Sequence, residues 1–438
     1  MKHKLILFTL SLLSLQSIVA QQTRTLTLKE AIDLSLANSK QLKLNAAKIL
    51  EANSAVKEAE EKRLPDAGVS GSYMYLPVKP TINLKSDSAG GGGGPKVSQA
   101  LFGSLSISLP LYNGGKLKYG IESAKYLEQA LKLDAENERS AVIMNTINAC
   151  INLFKAREAI NLVKENLDQS QKRVKDLSNL EKNGLLARND LLKAELQSSN
   201  IELNLLDAEN NLQLANINMD LMLGLPTSTE LVLDTTGIAK RDDPKVLDDY
   251  LQLALTNRKD ISALDYRKKA AQAGVKSAES AKYPSISLTG GYIAADIPKV
   301  VSITNAVNIG VGVSYNIASL WKNKAKVQQA EARVKQIVAT QAITDDNVKL
   351  QVNRNYLSLI SSRKKIEVYA KAVEQAKENY RIIKNKFDNS LATTTELLEA
   401  DVAQLQATLS YTLARADAFV AYNKLLQTTG ILSTELKK

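Results

Sequence analysis

Residues 103–115, GSLSISLPLYNGG, alternate between apolar and polar side chains. Every odd position from Leu105 to Leu111 is apolar, and the positions between them hold two serines and a proline. Successive side chains of a β-strand point to opposite faces of its sheet, so this pattern predicts a strand with one apolar face. Gly114 and Gly115 follow this strand, and paired glycines mark a turn.

Four segments show this alternation and predict strands at about residues 67–78, 101–112, 285–296 and 306–317. Their polar positions hold mainly serine, threonine, asparagine and glycine, which are small and uncharged. A sheet that faces water usually carries charged side chains there, whereas a membrane strand turns apolar side chains to lipid and polar ones to a lumen. The pattern therefore favours strands in a membrane. The side chains predicted to face lipid are Leu105, Ile107, Leu109, Ile286, Leu288, Tyr292, Ile309, Val311 and Val313.

Long stretches without proline and with very little glycine follow the strands. They predict a helix from about Lys116 to Lys182, which is about 100 Å long at 1.5 Å per residue. Asn183 and Gly184 break it, and a second helix is predicted up to about Leu223. Apolar residues recur along the long helix at steps of four and three, which is typical of coiled-coil-like packing.

The chain consists of two similar halves, and each half reads helix, strand, strand, long helix, shorter helix. The opening helix is predicted to begin near Thr27 and to end before Pro65, and Pro284 is the equivalent of Pro65 in the second half. Asn389 and Ser390 break the long helix of the second half. The predicted organisation is a signal peptide at 1–20, a first repeat at 21–223, a linker at 224–245 and a second repeat at 246–438.

The first twenty residues have the pattern of a secretory signal peptide. Lys2 and Lys4 precede an apolar run from Leu5 to Leu15, and Ala20 is suited to the position before a cleavage site. The apolar run is too short to cross a bilayer as a helix. We therefore expect a protein that leaves the cytoplasm.

The composition narrows the chemistry that the chain can perform. His3, the only histidine, lies in the predicted signal peptide, and Cys150 is the only cysteine. Without imidazole or paired thiols, we expect no metal site, no cofactor and no intrachain disulfide. The formal charge is +11, but the lysines are spread along the predicted helices, so we expect a solvated surface and no nucleic-acid partner.

Four strands cannot close a barrel that holds water, and open sheet edges do not occur in lipid. Other copies of the chain would have to pair with those edges. Two copies would give 8 strands around a lumen filled by side chains, and three copies would give 12 strands with room for water. The residues alone do not decide between two copies and three.

Four segments together resemble the TolC-type outer-membrane efflux family. They are LTLKEAIDLSLANSKQL, LPLYNGGK, YLQLALTNRKDI and NGLLARNDLLKAEL, and they occur in the family's order. The resemblance covers nearly all of the chain after the predicted signal peptide, including the duplication. It implies an α+β membrane protein, a homotrimer whose 12-stranded β-barrel in the outer membrane is continuous with a long α-helical barrel in the periplasm.

The resemblance also implies a function without catalysis. Members of the family are passive exit ducts for efflux or type I secretion, and they have no catalytic residues. Their partners are a periplasmic adaptor (membrane fusion) protein, an inner-membrane transporter of the RND or ABC type, and the lipid of the outer membrane. Residues around 224–245 would belong to an equatorial segment that joins the two halves.

In the family, the tips of the helix hairpins contact the adaptor and close the periplasmic entrance. Those tips correspond to residues 180–192 and 386–398, with these residues at their turns: Asn183, Gly184, Leu185, Asn389, Ser390 and Leu391. A family gate of acidic residues aligns with Glu396 and Glu399. In a trimer they would form two rings of three carboxylates, which should attract cations and raise one another's pKa.

The chain departs from the family pattern at the residues that latch the closed tip. A tyrosine and an arginine of that latch align with Phe387 and Ala392, and the tyrosine's aspartate partner aligns with Asp190. Phenylalanine has no hydroxyl group to offer Asp190. We therefore expect apolar packing to take over part of the closure.

Two other functions remain open on the sequence. A periplasmic coiled-coil spacer without a channel would share the helices but has no use for lipid-facing strands. A secreted enzyme that uses carboxylates would have Glu396 and Glu399 as its only local pair, and these lie in a helical pattern without a surrounding pocket motif. The sequence names neither the cargo nor the class of pump.

Overall fold

The computed structural model describes residues 23–78, 80, 96–234, 244–298 and 300–435. The predicted signal peptide and residues 235–243 of the predicted linker lie outside the described residues. The helices are α1 (Leu28–Asn38), α2 (Lys40–Glu61), α3 (Lys116–Lys182), α4 (Arg188–Leu223), α5 (Leu247–Asn257), α6 (Lys259–Glu279), α7 (Ser319–Asp388), α8 (Thr394–Thr428) and α9 (Leu432–Glu435). The strands are β1 (Thr23–Leu26), β2 (Asp66–Tyr75), β3 (Gln99–Tyr112), β4 (Glu230–Leu233), β5 (Ser285–Ile297) and β6 (Val301–Ser314).

A four-stranded antiparallel sheet contains β2, β3, β5 and β6 in that spatial order. One hairpin comes from each half of the chain, and β3 pairs with β5 to join them. Gly114 makes the turn from β3 into α3 with a φ of +63°. A Cβ at this position would lie 2.5 Å from the carbonyl oxygen of Ser280, so the turn has room only for glycine.

Two strands differ from their predicted bounds by three residues or more. β2 ends at Tyr75 and not at 78, and β6 spans Val301–Ser314 and not 306–317. Asn305 has a positive φ of 62°, and the register of β5 and β6 shifts between Ile293 and Ala295. Such a bulge moves the alternation of side chains out of phase. The residues before Asn305 therefore do not continue the pattern by which the sequence predicts the strand.

The single opening helix predicted for each half is two helices in the structure. Ser39 separates α1 from α2, and its Oγ accepts the N–H of Leu42 at 3.2 Å. The side chain of Asn38 donates to the carbonyl of Leu223 at 2.7 Å, which fixes the end of α1. Arg258 separates α5 from α6 at the equivalent place in the second half. Neither break contains glycine or proline, so the sequence did not predict them.

The described residues also form a small sheet that the sequence did not predict. β1 pairs in parallel with β4, from Thr23 opposite Glu230 to Leu26 opposite Leu233. These strands have only four residues each, which is too short for an alternation to be recognised.

The chain divides into two compact units. The first, which we call the helical unit, comprises Met1–Asn45, Ala135–Lys259 and Asp345–Lys438. The second, the sheet unit, comprises Ala46–Asp134 and Asp260–Thr344 and contains the four-stranded sheet. Among the described residues, no helix is both long and apolar enough to span a membrane.

In the helical unit, α3 has buried contacts on two sides. Its Ile147 belongs to a buried cluster that includes Phe419 of α8. Its Leu153 belongs to a second buried cluster that includes Met219 of α4. The steps of four and three along α3 thus correspond to contacts with two neighbouring helices.

Candidate functional site

The nine side chains predicted to face lipid lie on one face of the four-stranded sheet. Leu109, Leu288 and Val311 are direct cross-strand neighbours on β3, β5 and β6, and the other predicted side chains follow the same register. The row on β6 is the most exposed, and Ile309 exposes 83% of its surface. One chain therefore presents a continuous apolar face, and its contact with lipid stays a prediction.

The opposite face of this sheet is polar and uncharged over its central rows. Ser106 and Asn308 flank Gly291, and Thr289 lies beside Ser108. Several hydroxyl groups on this face bond to the neighbouring strand, as Thr289 does to the carbonyl of residue 310 at 3.2 Å. Asp66 and Asp296 are the only charged residues in the four strands.

The two hairpin tips share one backbone turn. Gly184 and Ser390 have positive φ values of 72° and 61°, and the N–H of the next residue donates to the carbonyl five residues earlier at 2.9 and 2.8 Å. Leu185 and Leu391 are left 73% and 76% exposed. The six residues predicted to contact the adaptor all lie in or beside these turns: Asn183, Gly184, Leu185, Asn389, Ser390 and Leu391.

Phe387 joins the second tip to the first. It packs against a buried cluster of Leu177 on α3 and Leu191 and Ala194 on α4. The three residues of this cluster are each 1% exposed. Where the resemblance implied a hydrogen bond from a tyrosine, this chain has an apolar contact.

Asp190 has a different partner from the one that the resemblance implied. The Nζ of Lys193, one turn further along α4, lies 3.3 Å from Asp190 Oδ1. The same Nζ lies 3.5 Å from the Oγ1 of Thr395 at the start of α8. Lys193 thus contacts both tips, a contact that the sequence did not predict.

Glu396 has a structural role within the chain. Its N–H donates to Thr393 Oγ1 at 3.2 Å, and its Oε2 accepts from the N–H and the hydroxyl of Thr393 at 2.7 and 2.9 Å. This is a capping box at the first turn of α8. The bonds from Thr393 lower the pKa of the Glu396 carboxyl, so within one chain its pKa moves in the direction opposite to the expected one. Glu399, the other residue of the predicted gate, is exposed on the same helix.

A buried polar network that the sequence did not predict lies further along the same helices. Asp401 Oδ2 on α8 accepts from Arg173 Nη1 on α3 at 2.9 Å and from Asn166 at 3.4 Å. Arg173 Nη2 donates to the hydroxyl of Tyr380 on α7 at 3.1 Å. The side chains of Arg173 and Asp401 are 10% and 4% exposed. A signal was present in the sequence, because Arg173 falls on the stripe that Ser170 and Leu177 also occupy at steps of three and four.

Asp220, near the end of α4, is a second missed group. It is fully buried, and burial raises the pKa of its carboxyl to about 6. Asn216 donates to Asp220 Oδ2 at 3.0 Å and to the carbonyl of Thr229, and it accepts the N–H of Leu231 at 2.8 Å. The other oxygen of Asp220 has no hydrogen-bond partner among the described residues. This arrangement ties the segment before β4 to α4.

Comparison with known sequences identifies similar proteins along most of the chain. Residues 31–225 and 250–431 match the sequence profile of a family described as outer membrane efflux protein. The outer membrane efflux protein BepC of Brucella suis is 22% identical over 349 residues, which are 78% of this chain and 75% of that protein. The cation efflux system protein CusC of Escherichia coli is 25% identical over 320 residues, which are 71% of this chain and 65% of that protein.

Solved structures have the same fold. The outer membrane protein VceC of Vibrio cholerae superposes with a TM-score of 0.75 at 20% sequence identity. The superposition covers 92% of this chain and 96% of VceC.

Proposed function

The chain belongs to the outer membrane efflux protein family, and we propose that it is the outer-membrane exit duct of a tripartite efflux or type I secretion system. Members of the family are channels of the outer membrane. In this proposal the duct conducts its cargo passively, and residues 1–20 direct secretion. A periplasmic adaptor and an inner-membrane transporter of the RND or ABC type supply the cargo and the energy.

The four-stranded sheet is the observation that carries this proposal. Its apolar face is exposed in the single chain, although water would make that exposure unfavourable by about 25 cal/mol per Å². Its other face is small, polar and almost uncharged, as the wall of a water-filled lumen is. A sheet in a soluble spacer protein would gain nothing from this combination.

The two outer strands support an assembly of three copies. Among the described residues, β2 and β6 each pair with one strand, so each has one edge free for another copy. Lipid does not tolerate free edges, and only a closed barrel removes them. Eight strands would leave a lumen filled by side chains, whereas twelve leave room for water, so we propose a homotrimer with a 12-stranded barrel.

We assign the periplasmic entrance and the adaptor contact to the two hairpin tips. The exposed Leu185 and Leu391 would contact the adaptor, and Phe387 and Lys193 would hold the tips of one chain together. Glu396 and Glu399 would supply the carboxylates at the entrance. Both side chains are exposed within one chain, which supports this assignment.

Single-channel conductance tests the duct. The protein would be purified from membranes in mild detergent, its mass determined by native mass spectrometry, and its conductance measured in a planar bilayer. We expect trimers with a small conductance that divalent cations block. Recovery only as a soluble, non-conducting helical oligomer would overturn the proposal in favour of a spacer.

Neutralising the two glutamates tests the gate separately. In Glu396→Gln/Glu399→Gln the cation block should weaken, because two rings of three negative charges are lost. Glutamine at position 396 can still complete the capping box, so α8 should keep its first turn. Glu367→Gln/Glu374→Gln, with the same charge change at exposed positions on α7, is the control and should be blocked as the unaltered protein is. Equal block in all three proteins would reject the gate and leave the duct standing.

A further inference from the structure

The polar face of the four-stranded sheet, which we call the inner face, changes its polarity along the strands. Its central rows contain Ser106, Gly291 and Asn308, and the rows nearer the helices are also small and polar, as in Ser108 and Thr289. The rows at the other end are apolar instead. They contain these side chains: Phe102 on β3, Ile293, Ala295 and Ile297 on β5, and Val301 and Ile303 on β6.

These apolar side chains are neighbours on one surface. Ala295 lies opposite Phe102 of β3 on one side and Ile303 of β6 on the other. Ile297, two residues further along β5, lies opposite Val301. Because every second residue of a strand points to the same face, all three members on β5 point to the inner face.

The bulge in β6 brings the two members on that strand to the inner face. After Asn305, odd-numbered residues of β6 such as Ile309 lie on the apolar face of the sheet that is predicted to contact lipid. The extra residue at the bulge shifts the phase, so Val301 and Ile303 point inward although they are odd-numbered. The hydroxyl of Tyr292 accepts the N–H of Asn305 at 3.1 Å, which helps to fix the bulge.

The opposite face of the sheet carries polar side chains at the same level. Asp296 lies opposite Ser302, and Gln99 lies at the start of β3, and all three are exposed. By contrast, Ala100 and Ala295 on the inner face are buried within one chain. At this end of the sheet, polar side chains including a carboxylate therefore face outward, and an apolar surface faces inward.

The chain connections place these rows at the outer mouth of the proposed barrel. β2 follows α2 and begins at Asp66, and β3 ends at Tyr112 before α3, so Tyr75 and Gln99 lie at the end of their hairpin away from the helices. Ile297 has the same place in the second hairpin, between β5 and β6. In the proposed duct the helices lie in the periplasm, so this end of the sheet faces the outside.

We propose that these six side chains form an apolar collar around the outer mouth of the lumen and that the collar binds amphipathic molecules. The inference rests on the proposed function, because three copies around one axis would turn the collar residues of one chain into a ring. Ile293 and Ile303 are 44% and 39% exposed in one chain, so apolar surface remains for a ligand. An amphipathic molecule can bury its apolar part there and keep its charge in water, whereas a small hydrated ion gains nothing.

Block of the single-channel current by quaternary ammonium ions tests the collar. Tetramethylammonium and tetrabutylammonium carry the same charge, but tetrabutylammonium has a much larger apolar surface. We expect tetrabutylammonium to block at the lower concentration, because only this ion gains from apolar contact. The proposed acidic entrance lies at the other end of the duct, so tetrabutylammonium should block from one side of the bilayer and divalent cations from the other.

Two serines in the collar should remove this preference. In Phe102→Ser/Ile303→Ser we expect the blocking concentration of tetrabutylammonium to rise about tenfold, which corresponds to the loss of roughly 55 Å² of apolar contact. Tetramethylammonium and divalent cations should block as before. Leu101→Ser is the matched control and should keep the block, because Leu101 is adjacent to Phe102 but points to the other face. Ile303→Thr keeps a β-branched side chain in the strand and should weaken the block in the same direction.

The outcomes distinguish this inference from the proposed function. Conducting trimers whose tetrabutylammonium block is unaltered in Phe102→Ser/Ile303→Ser and in Ile303→Thr would reject the collar and leave the duct standing. An equal loss of block in Leu101→Ser would also reject it, because the apolar contact would not then belong to the inner face. Block by tetrabutylammonium and divalent cations from the same side would move the ligand to the helical entrance and likewise overturn the collar. Trimers without conductance would overturn both the collar and the duct.

Discussion

Arg173 and Asp401 connect α3 to α8 through an ion pair that is almost withdrawn from water. Charges in such surroundings depend on each other, since removal of one leaves the other unsolvated and unpaired. Arg173 also donates to Tyr380 on α7, so the pair and its hydrogen bonds hold three helices. This network, unlike the exposed ion pairs along the helices, should therefore have a measurable effect on stability.

We predict that Arg173→Met destabilises the helical unit by about 3–5 kcal/mol, because Asp401 is left as a buried lone charge. The double variant Arg173→Met/Asp401→Leu should recover most of this loss, since it buries no charge. The midpoint of thermal unfolding in detergent measures both. Lys172→Met, which removes only an exposed pair with Asp168, is the control and should change little. Equal loss in the single and double variants would contradict the explanation.

Asp220 makes the stability of the folded chain depend on pH. Its folded-state pKa of about 6 lies above the ordinary value of 3.8. Between these values the folded chain binds a proton that the unfolded chain does not, so this residue stabilises the fold at about pH 4. That contribution is lost as the pH rises through about 6.

Asp220→Asn should remove this dependence, because asparagine does not titrate. The unfolding midpoint would be compared between pH 4 and 7 for the variant and the unaltered protein. We expect the unaltered protein to gain stability relative to the variant as the pH falls from 7 to 4. Asp207→Asn, at an exposed position of the same helix, should keep the unaltered profile. Identical profiles for all three would show that Asp220 does not titrate in this range.

At the scale of the element, the start of α8 depends on one side chain. Thr393 Oγ1 accepts the N–H of Glu396, so Thr393→Ala leaves that N–H without its partner. We predict a loss of about 1 kcal/mol and faster hydrogen exchange in the first turn of α8. Thr412→Ala, in the middle of α8, should leave exchange in that turn unchanged. Unchanged exchange in Thr393→Ala would mean that the capping box does not hold the turn.

The elements differ in how well the sequence predicted them. α3 has the predicted bounds of Lys116 and Lys182, because a long stretch without breakers followed by Asn-Gly has a strong local signal. The breaks at Ser39 and Arg258 have no such signal. They coincide with hydrogen bonds to distant parts of the chain, from Asn38 to the carbonyl of Leu223 and from Arg258 to the carbonyl of Thr428. The same limit applies to the site. Phe387 could be placed at a tip from the sequence, but Lys193 and Arg173 needed partners from distant parts of the chain.

At the scale of the whole molecule, the strand edges and apolar surfaces that one chain leaves exposed indicate that several copies assemble. Among the described residues, the sheet has two free edges and an exposed apolar face, and α4 and α7 each have a stripe of exposed apolar side chains, Leu196 and Leu203 on α4 and Leu350 and Leu357 on α7. A stable monomer in water would not keep so many unfavourable surfaces. The sequence predicted the apolar face of the sheet by its period of two. It did not predict that these stripes of α4 and α7 stay exposed, because that depends on which helices pack together in the folded chain.

The contact of the sheet with lipid can be tested by placing the same charged residue at one or the other of two adjacent positions. Ile309 and Asn308 are neighbours on β6, but their side chains point to opposite faces of the sheet. An arginine on the lipid side near the middle of the bilayer costs about 2–4 kcal/mol, whereas a lumen position accepts charge. Ile309→Arg should therefore greatly reduce the amount of protein in the outer-membrane fraction, and Asn308→Arg should not.

The second part of this test measures the conductance of Asn308→Arg, the variant that is expected to insert. Asn308→Arg should shift the selectivity of the channel toward anions, because its charge would line the lumen. Ile309→Leu keeps the face apolar and should insert and conduct as the unaltered protein does. If Ile309→Arg were tolerated and Asn308→Arg blocked insertion, the faces would be reversed and the apolar row would line the interior. Full insertion of both arginine variants with unchanged conductance would show that the sheet does not lie in the membrane. The proposal of an exit duct would then lose the observation on which it rests.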